Sequence, residues 1–159
     1  MKRASTKAVA VLAVVLVAIA GGCGGGGSNR LSKSAYEQKL KGEGSQLKTA
    51  FSAVNLEQSG NLGELATKLT SLQQQLDRAA SDIEALKPPK DAEADNAKLA
   101  DALHKAADKF GELKKAAKAK DQQRIAKIGQ EVGTVLQEGK AAASDLEAKG
   151  YDIGTLGNG

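Results

Sequence analysis

The sequence predicts an all-α protein: an antiparallel, up-and-down bundle of four long helices, preceded by an export signal and a glycine-rich tether. After position 34, apolar residues recur at alternating steps of three and four, which keeps one stripe of a helix facing a partner. None of these segments alternates with the period of two that a half-buried strand requires. A Pro-Pro pair and short polar stretches separate the segments, and short connections favour antiparallel neighbours.

The first element is a basic and apolar N-terminus with the features of an export signal. Three basic residues lie within the first seven positions, and a 13-residue apolar core spans 8–20. This core is shorter than the roughly 20 residues that a membrane-spanning helix needs. Small residues lead to Cys23, whose thiol offers a nucleophile for lipid attachment. We therefore predict a signal peptide at 1–22 and a lipid anchor at Cys23.

Residues 1–23 resemble a bacterial lipoprotein signal with its lipobox. The resemblance implies cleavage before Cys23, attachment of lipid (diacylglycerol and palmitate), and location on the extracytoplasmic face of the bacterial cell membrane. The alternative is a plain secretory signal, or an uncleaved anchor, in which the thiol is incidental. Because Cys23 is the single cysteine, no disulfide can form within one chain.

Removal of the signal would change the size and the charge of the chain. The remaining 137 residues suffice for one domain that buries about two-thirds of its unfolded surface. The formal charge of +4 would fall to +1, because three basic residues leave with the signal. Only four aromatic side chains follow Cys23. With so little net positive charge and so few stacking groups, we do not expect nucleic acid as a partner.

Residues 23–33 are predicted to be a flexible tether between the lipid and the helical domain. Their glycines and polar residues do not provide an apolar face that could pack. The glycines lack the preceding strand and the following Gly-Lys-Ser/Thr of a phosphate-binding loop. We therefore interpret this stretch as a spacer.

Four helical segments are predicted within residues 34–153. The first begins at Ser34 and the second at Asn61, each followed three residues later by the glutamate of a capping box. Asp91 and Asp121 have side chains that can accept the first free amides of the third and fourth segments. The longest apolar stripe lies on the second segment and consists of Leu62, Leu65, Leu69, Leu72, Leu76, Ala79, Ile83 and Leu86.

The helix ends are predicted from proline and glycine. Pro88 stops the second helix, because its ring excludes helical geometry in the preceding residue. Gly150 suits the left-handed position after the fourth helix, with Tyr151 folding back on Leu146. Residues 154–159 are predicted to form a loose tail.

Alanine at many stripe positions predicts a thin core of modest stability. The first helix is the shortest and is interrupted by Gly42 and Gly44. In an alternative arrangement this helix detaches from a three-helix core formed by residues 61–150. The same apolar repeats serve packing within a chain or between chains, so the oligomeric state stays open.

Catalytic and metal chemistry are not expected from this composition. The chain has one histidine and no tryptophan, and its cysteine is assigned to lipid. Asp101 and His104 have the spacing of a metal-binding helix pair, but both are predicted to face water and no second Glu-x-x-His follows. The acidic groups near Asp77 and Asp91 lack the spacing of a calcium loop. We therefore predict no catalytic residue, no metal and no cofactor.

The densest basic cluster is predicted at the turn between the third and fourth helices. Lysines in a last helical turn stabilise its free carbonyls, which is the structural explanation of the cluster. The functional interpretation is an interaction patch that faces away from the membrane, towards an anionic wall polymer or an acidic envelope protein. The residues of this patch are Lys114, Lys115, Lys118, Lys120 and Arg124.

A second candidate site follows from two glycines on the apolar stripes. In an antiparallel ring the first and fourth helices are neighbours, so Gly44 and Gly139 are predicted to share a level, facing Leu76 and Leu103. Close backbone packing is the structural explanation. The alternative is a small apolar pocket.

The whole chain resembles the small, alanine-rich, lipid-anchored helical proteins of actinobacterial cell envelopes. The resemblance rests on the N-terminal signal, the Pro-Pro break and the Gly-Tyr near the end. Such proteins mostly have no assigned activity, so the resemblance implies a location. Our leading hypothesis is a non-enzymatic interaction or scaffold module, attached to the membrane through its N-terminal lipid. The alternative is a carrier of a small molecule or lipid.

Overall fold

The computed structural model describes residues 29–54 and 62–156, which form four α-helices and two short 3-10 turns without a β-strand. The prediction of an all-α helical bundle is confirmed. The predicted signal peptide, Cys23 and most of the predicted tether lie outside the described residues. The helices are α1 (Lys33–Ala53), α2 (Leu62–Glu84), α3 (Glu93–Ala119) and α4 (Gln122–Ala148), and the 3-10 turns are Lys90–Ala92 and Gly154–Leu156.

The apolar stripe of α2 lies in the centre of the core. Leu69, Leu72, Leu76 and Ile83 are almost fully buried, in one cluster with apolar side chains of the other three helices. Each buried leucine or isoleucine stabilises the fold by about 1.5 to 3 kcal/mol relative to an exposed side chain. The periodicity in the sequence therefore identifies the core correctly on this helix.

The helices are not arranged as a symmetric ring. α3 packs against α2 on one side and against α4 on the other, whereas α1 packs mainly on α2 and on the C-terminal 3-10 turn. Residue numbers rise along α3 as those of its partners fall along α4. The ion pairs that link these two helices are Lys98–Asp145, Lys105–Glu138 and Lys109–Glu131.

Two of the predicted helix boundaries are formed by the residues that the sequence indicated. The Asp121 carboxylate accepts a hydrogen bond of 3.0 Å from the backbone N–H of Arg124 at the start of α4. At the end of α4, Gly150 has a φ of 80°, and the N–H of Tyr151 donates to the carbonyl of Leu146 at 3.0 Å. This is the geometry of a Schellman stop.

The other two described helix starts differ from the prediction. Ser32, rather than Ser34, caps α1 by accepting a hydrogen bond of 3.3 Å from the N–H of Ala35. Asp91 does not cap α3, because a 3-10 turn precedes that helix and the carboxylate instead accepts the hydroxyl proton of Tyr151 at 2.8 Å. A tertiary hydrogen bond with Tyr151 therefore takes the place of the predicted local N-cap hydrogen bond of Asp91.

The end of the predicted tether is docked rather than flexible. The backbone N–H of Leu31 donates to the carbonyl of Lys87 at 2.7 Å. The Arg30 guanidinium donates to the carbonyl of Pro88 and pairs with Glu93, each at 3.0 Å. Residues 30–33 therefore belong to the folded domain. The acceptors for this docking are the carbonyls of Lys87 and Pro88, in the connection that follows α2.

The start of the predicted loose tail also packs on the domain. Ile153 is fully buried, and residues 154–156 form a 3-10 turn against α1. Leu156 is partly buried against the core. The prediction of a loose tail from position 154 misses this contact, because a single leucine in a short segment gives no periodic signal.

α1 is docked through Tyr36, Leu40 and Leu47, which are buried, so the detached arrangement is not the one observed. No helix in the described ranges combines the length and apolar character required to cross a lipid bilayer.

Candidate functional site

The predicted basic patch is assembled at one end of the bundle, which we call the basic end. Its lysines lie on the last turns of α3 and at the residue that follows, and its arginine lies in the first turn of α4. Lys120 holds the C-cap position of α3, where its N–H donates to the carbonyls of Ala116 and Ala117. The basic end consists of Lys114, Lys115, Lys118, Lys120 and Arg124.

Most of these side chains are unpaired. Lys114 is half-buried, and its Nζ donates to Oε1 of Gln73 at 3.2 Å. The other four side chains are exposed and make no ion pair or hydrogen bond within the described part of the chain. Four positive charges therefore face solvent at this end.

The middle of the same helix pair has a different surface. There each lysine is matched to carboxylates, as Lys105 is to Asp101 at 2.8 Å and to Glu138 at 3.2 Å. These hydrogen bonds and charges raise the pKa of Lys105. Lys109 is paired in the same way with Glu112 and Glu131. The unpaired basic end is therefore not a general property of the α3 and α4 surface.

A groove of about 620 Å³ opens beside the basic end, between α2 and the end of α3. No local pattern in the sequence indicates this groove, because its two walls are separated by nearly fifty residues. Thr67 and Thr70 on α2 donate their hydroxyl protons to the carbonyls of Gly63 and Ala66, at 3.1 and 2.8 Å. The groove is lined by Gly63, Ala66, Thr67, Thr70, Ser71, Ala117, Lys118 and Lys120.

Lys120 has an unusual backbone conformation. Its φ of 57° makes it the one residue other than glycine with a positive φ in the described ranges. Glycine usually takes this position after a helix, and any other residue is destabilised there by about 1 kcal/mol. After α4, the residue with a positive φ is Gly150, which is the residue type expected for this conformation.

The predicted pocket is not assembled in the way that the sequence suggested. A Cβ atom on Gly44 would lie 2.9 Å from Cγ of Leu156, whereas one on Gly139 would lie 3.4 Å from Cβ of Ala102. The two glycines therefore face different neighbours, because the C-terminal turn packs beside α1. Leu76 and Leu103 are buried in the common core. The space next to Gly44 is occupied by side chains of the chain itself.

A cluster of buried polar groups at the opposite end was missed by the sequence analysis. Asn96 is 4% exposed, accepts a hydrogen bond from the Tyr36 hydroxyl at 3.0 Å, and donates to the carbonyl of Ile83 at 2.9 Å. The available signal was an asparagine three residues before Leu99, on the apolar stripe of α3. We call this group the polar cluster. It consists of the buried Tyr36, Asp95, Asn96 and Tyr151 together with Asp91 and Lys149, which are exposed and hydrogen-bond to Tyr151 and Asp95.

Asp95 is the buried charge of the polar cluster, with 3% exposure. Burial acts to raise its pKa, but hydrogen bonds and charge from Lys149 and Lys98 outweigh burial and hold the pKa below its ordinary value. Asp95 therefore belongs to an ion-pair network in which it pairs with Lys98 and Lys149, and Lys98 also pairs with Asp145.

The two tyrosines join this network to the ends of the folded chain. Burial and the hydrogen bond to Asp91 raise the pKa of Tyr151 to about 12. The Tyr151 ring meets Tyr36 edge-on at 5.6 Å, and the Lys33 ammonium lies 5.1 Å from its centroid. Among the described residues, every buried polar side-chain atom has a hydrogen-bond partner. The polar cluster is therefore a structural network.

His104 lies on the surface between two acids of α2. Its ring nitrogens are 3.7 Å from Asp77 and 3.6 Å from Glu84, and its side chain is 41% exposed. Asp101, its partner in the weighed metal motif, pairs with Lys105 instead. The described residues contain no group of three or more histidine, cysteine or acidic side chains arranged to hold a metal ion.

Comparison of the chain with protein-family models, curated proteins and solved structures finds no match. The function of the basic end must therefore be inferred from its own charges and geometry.

Proposed function

We propose that this protein is a lipid-anchored, extracytoplasmic and non-enzymatic module of a bacterial cell envelope, and that its basic end binds an anionic partner. The observation that carries the proposal is the set of four unpaired basic side chains at one end of the bundle. The partner is an anionic wall polymer or an acidic envelope protein. Membrane attachment is through a lipid on Cys23.

In the proposed orientation, an antiparallel, up-and-down bundle stands upright on its tether, with the basic end away from the membrane. The falling register of the α3–α4 ion pairs supports the antiparallel order. Docking of Arg30 on Pro88 and of Leu31 on Lys87 leaves residues 24–29 between the anchor and the folded domain. Fully extended, these six residues reach about 20 Å.

This orientation separates the basic end from the membrane. α3 has 27 residues and is about 40 Å long, and it begins next to the docked tether. Charges in salt solution act over only about 10 Å. The basic end is therefore proposed to meet partners in the envelope rather than the lipid surface that holds Cys23.

The absence of a catalytic role is also part of the proposal. Its support is the polar cluster, in which the buried carboxylate and the buried amide are already hydrogen-bonded to structural partners. The carrier hypothesis has no comparable support, because Leu156 and Thr155 lie against Gly44.

The test of this proposal has two parts. Intact mass of the protein from host membranes should correspond to a chain that begins at Cys23 and carries lipid. Binding to isolated wall material should then be compared between two double variants. The first combines Lys115→Glu and Lys118→Glu, and the second combines Lys87→Glu and Lys90→Glu. The second pair makes the same charge change at the opposite end, where these two side chains also lack partners in the described part of the chain.

We expect the first pair to abolish sedimentation with the wall and the second pair to retain it. Protease treatment of the wall should remove binding if the partner is a protein, and acid extraction should remove it if the partner is a polymer. Equal binding by both variants would rule out the basic end as the interaction surface.

A further inference from the structure

The groove beside the basic end offers two kinds of hydrogen-bond group. Lys118 and Lys120 supply ammonium donors without ion-pair partners in the described ranges, and the Ser71 hydroxyl is also free there. Thr67 and Thr70 have given their hydroxyl protons to backbone carbonyls, so their oxygens remain as acceptors. A ligand that satisfies this groove needs both negative charge and donor groups.

Three of the residues that line the groove are small. Gly63, Ala66 and Ala117 have no side chain beyond Cβ, so the backbones of α2 and α3 can be approached closely. The volume of about 620 Å³ lies within the range of small-molecule sites, about 300 to 1,000 Å³. The groove is therefore large enough for a short segment of a linear molecule.

The lysine at the rim is held there at a conformational cost. Lys120 has a φ of 57°, which glycine would adopt without strain. Residues with a strained backbone are concentrated at the functional sites of folded proteins. The corresponding residue after α4 is Gly150, whereas after α3 it is a lysine, whose ammonium group lies beside the groove.

From these observations we infer that the groove binds a segment of a hydroxyl-bearing polyanion, such as a phosphodiester-linked polyol. Its phosphates pair with Lys118 and Lys120, and its hydroxyl groups donate to the oxygens of Thr67 and Thr70. The inference rests on the proposed function and deepens it, because it selects the polymer over the acidic protein as the partner. A polyol phosphate carries anions and hydroxyl groups within one short repeat, so it can present both kinds of group to the lysines at the end of α3 and to the threonines of α2.

The experiment measures binding of defined polymers to the full chain, purified in non-ionic detergent. Isothermal titration calorimetry compares poly(glycerol phosphate) with polyglutamate of equal charge and with uncharged dextran. The variants are Thr67→Val, which removes one acceptor oxygen with little change of shape, and the pair Lys118→Gln with Lys120→Gln. The charge-matched control is Lys87→Gln with Lys90→Gln.

We expect poly(glycerol phosphate) to bind more tightly than polyglutamate, and dextran not to bind. Thr67→Val should weaken only poly(glycerol phosphate), by about three- to ten-fold, the size of one neutral hydrogen bond. The Lys118 and Lys120 pair should lower the slope of log affinity against log salt by about 1.4, as expected for two lost phosphate contacts on a single strand. The control pair should leave affinity and slope unchanged.

Two results would contradict the inference, and they differ in reach. If both polyanions bind equally and Thr67→Val changes neither, the groove does not read hydroxyl groups, while the basic end still binds anions. If the control pair weakens binding as much as the groove pair, the inference and the proposed function both fail. Circular dichroism of each variant establishes that it is folded.

Discussion

The two ends of the bundle use charge in opposite ways. In the polar cluster, Asp95 and Asn96 are buried and every buried side-chain nitrogen or oxygen atom has a hydrogen-bond partner, because an unmatched buried polar group costs about 1 to 3 kcal/mol. At the basic end, lysines stay unpaired because water solvates them. An unpaired charge that is exposed to water costs little stability wherever it lies on the surface. It therefore indicates function only together with other features. Here those features are the groove and the strained Lys120.

The same contrast is visible at the ends of two helices. α3 and α4 are both followed by a residue in the left-handed conformation, and this residue is Lys120 after α3 and Gly150 after α4. The end that holds the domain together has the residue that is best for stability. The end proposed to bind a partner has a residue that is worse for stability and carries a charge.

The largest expected effect comes from breaking the polar cluster. Asn96→Ala leaves the buried Tyr36 hydroxyl without its acceptor, and should lower the free energy of unfolding by about 2 to 4 kcal/mol. Urea denaturation followed by circular dichroism measures this change. Lys118→Ala at the basic end is the comparison and should stay within about 0.5 kcal/mol of the wild type.

A double-mutant cycle isolates the hydrogen bond. Adding Tyr36→Phe to Asn96→Ala should restore part of the lost stability, because it removes the orphaned hydroxyl. A fully additive loss would show that the Tyr36–Asn96 hydrogen bond does not stabilise this end.

The second prediction concerns the C-terminal turn that packs on α1. Gly44→Ala places a Cβ 2.9 Å from Leu156 and Thr155, so the turn must shift, at a cost of about 1 to 3 kcal/mol. Gly42→Ala, two residues earlier in the same helix, meets nothing within 4 Å and should stabilise α1 by up to about 1 kcal/mol. Thermal unfolding should therefore move in opposite directions. Equal stabilisation by both variants would contradict the packing of this turn.

The third prediction is the dependence of stability on pH. The pKa of Asp95 is lower in the folded protein than its ordinary value, which is about 4 in the unfolded chain. Its ionised form therefore stabilises the fold above that pH, and this contribution is lost as the pH falls through the lower folded pKa. The stability difference between the wild type and Asp95→Asn should shrink below about pH 4.

Urea midpoints measured between about pH 2 and pH 7 cover the ordinary pKa of this carboxyl and extend well below it. Asp108→Asn is the charge-matched control, since its carboxylate is exposed and unpaired in the described part of the chain. It should stay within about 0.5 kcal/mol of the wild type at pH 7. A difference for Asp95→Asn that is constant across the range would show that its charge does not stabilise the polar cluster.

The smallest expected change in stability sharpens the comparison of the two helix ends. Lys120→Gly should stabilise the protein by up to about 1 kcal/mol, because glycine adopts the observed φ without strain. Gly150→Lys should destabilise it by a similar amount for the same reason. Lys120→Gly should also weaken binding to poly(glycerol phosphate). If Lys120→Gly is more stable and binds poly(glycerol phosphate) as tightly as the wild type, the charge of this lysine does not contribute to binding.

Much of the fold follows from local sequence alone. The stripe from Leu69 to Ile83 specifies a helix and its buried face, because both depend on spacing within one segment. The stop at Gly150 and the cap at Asp121 are equally local. These are the features that the sequence analysis predicted correctly.

The tertiary structure decided which distant groups meet. Tyr36 and Asn96 are sixty residues apart, and the contact of Leu156 with Gly44 spans more than a hundred, so neither has a local signature. The groove likewise exists only because α2 and the end of α3 lie side by side. The sequence by itself determined the helices and the cluster of basic residues around the turn between two of them. Packing decided that the charge borders a groove, because the position of a groove depends on the surfaces of two helices together.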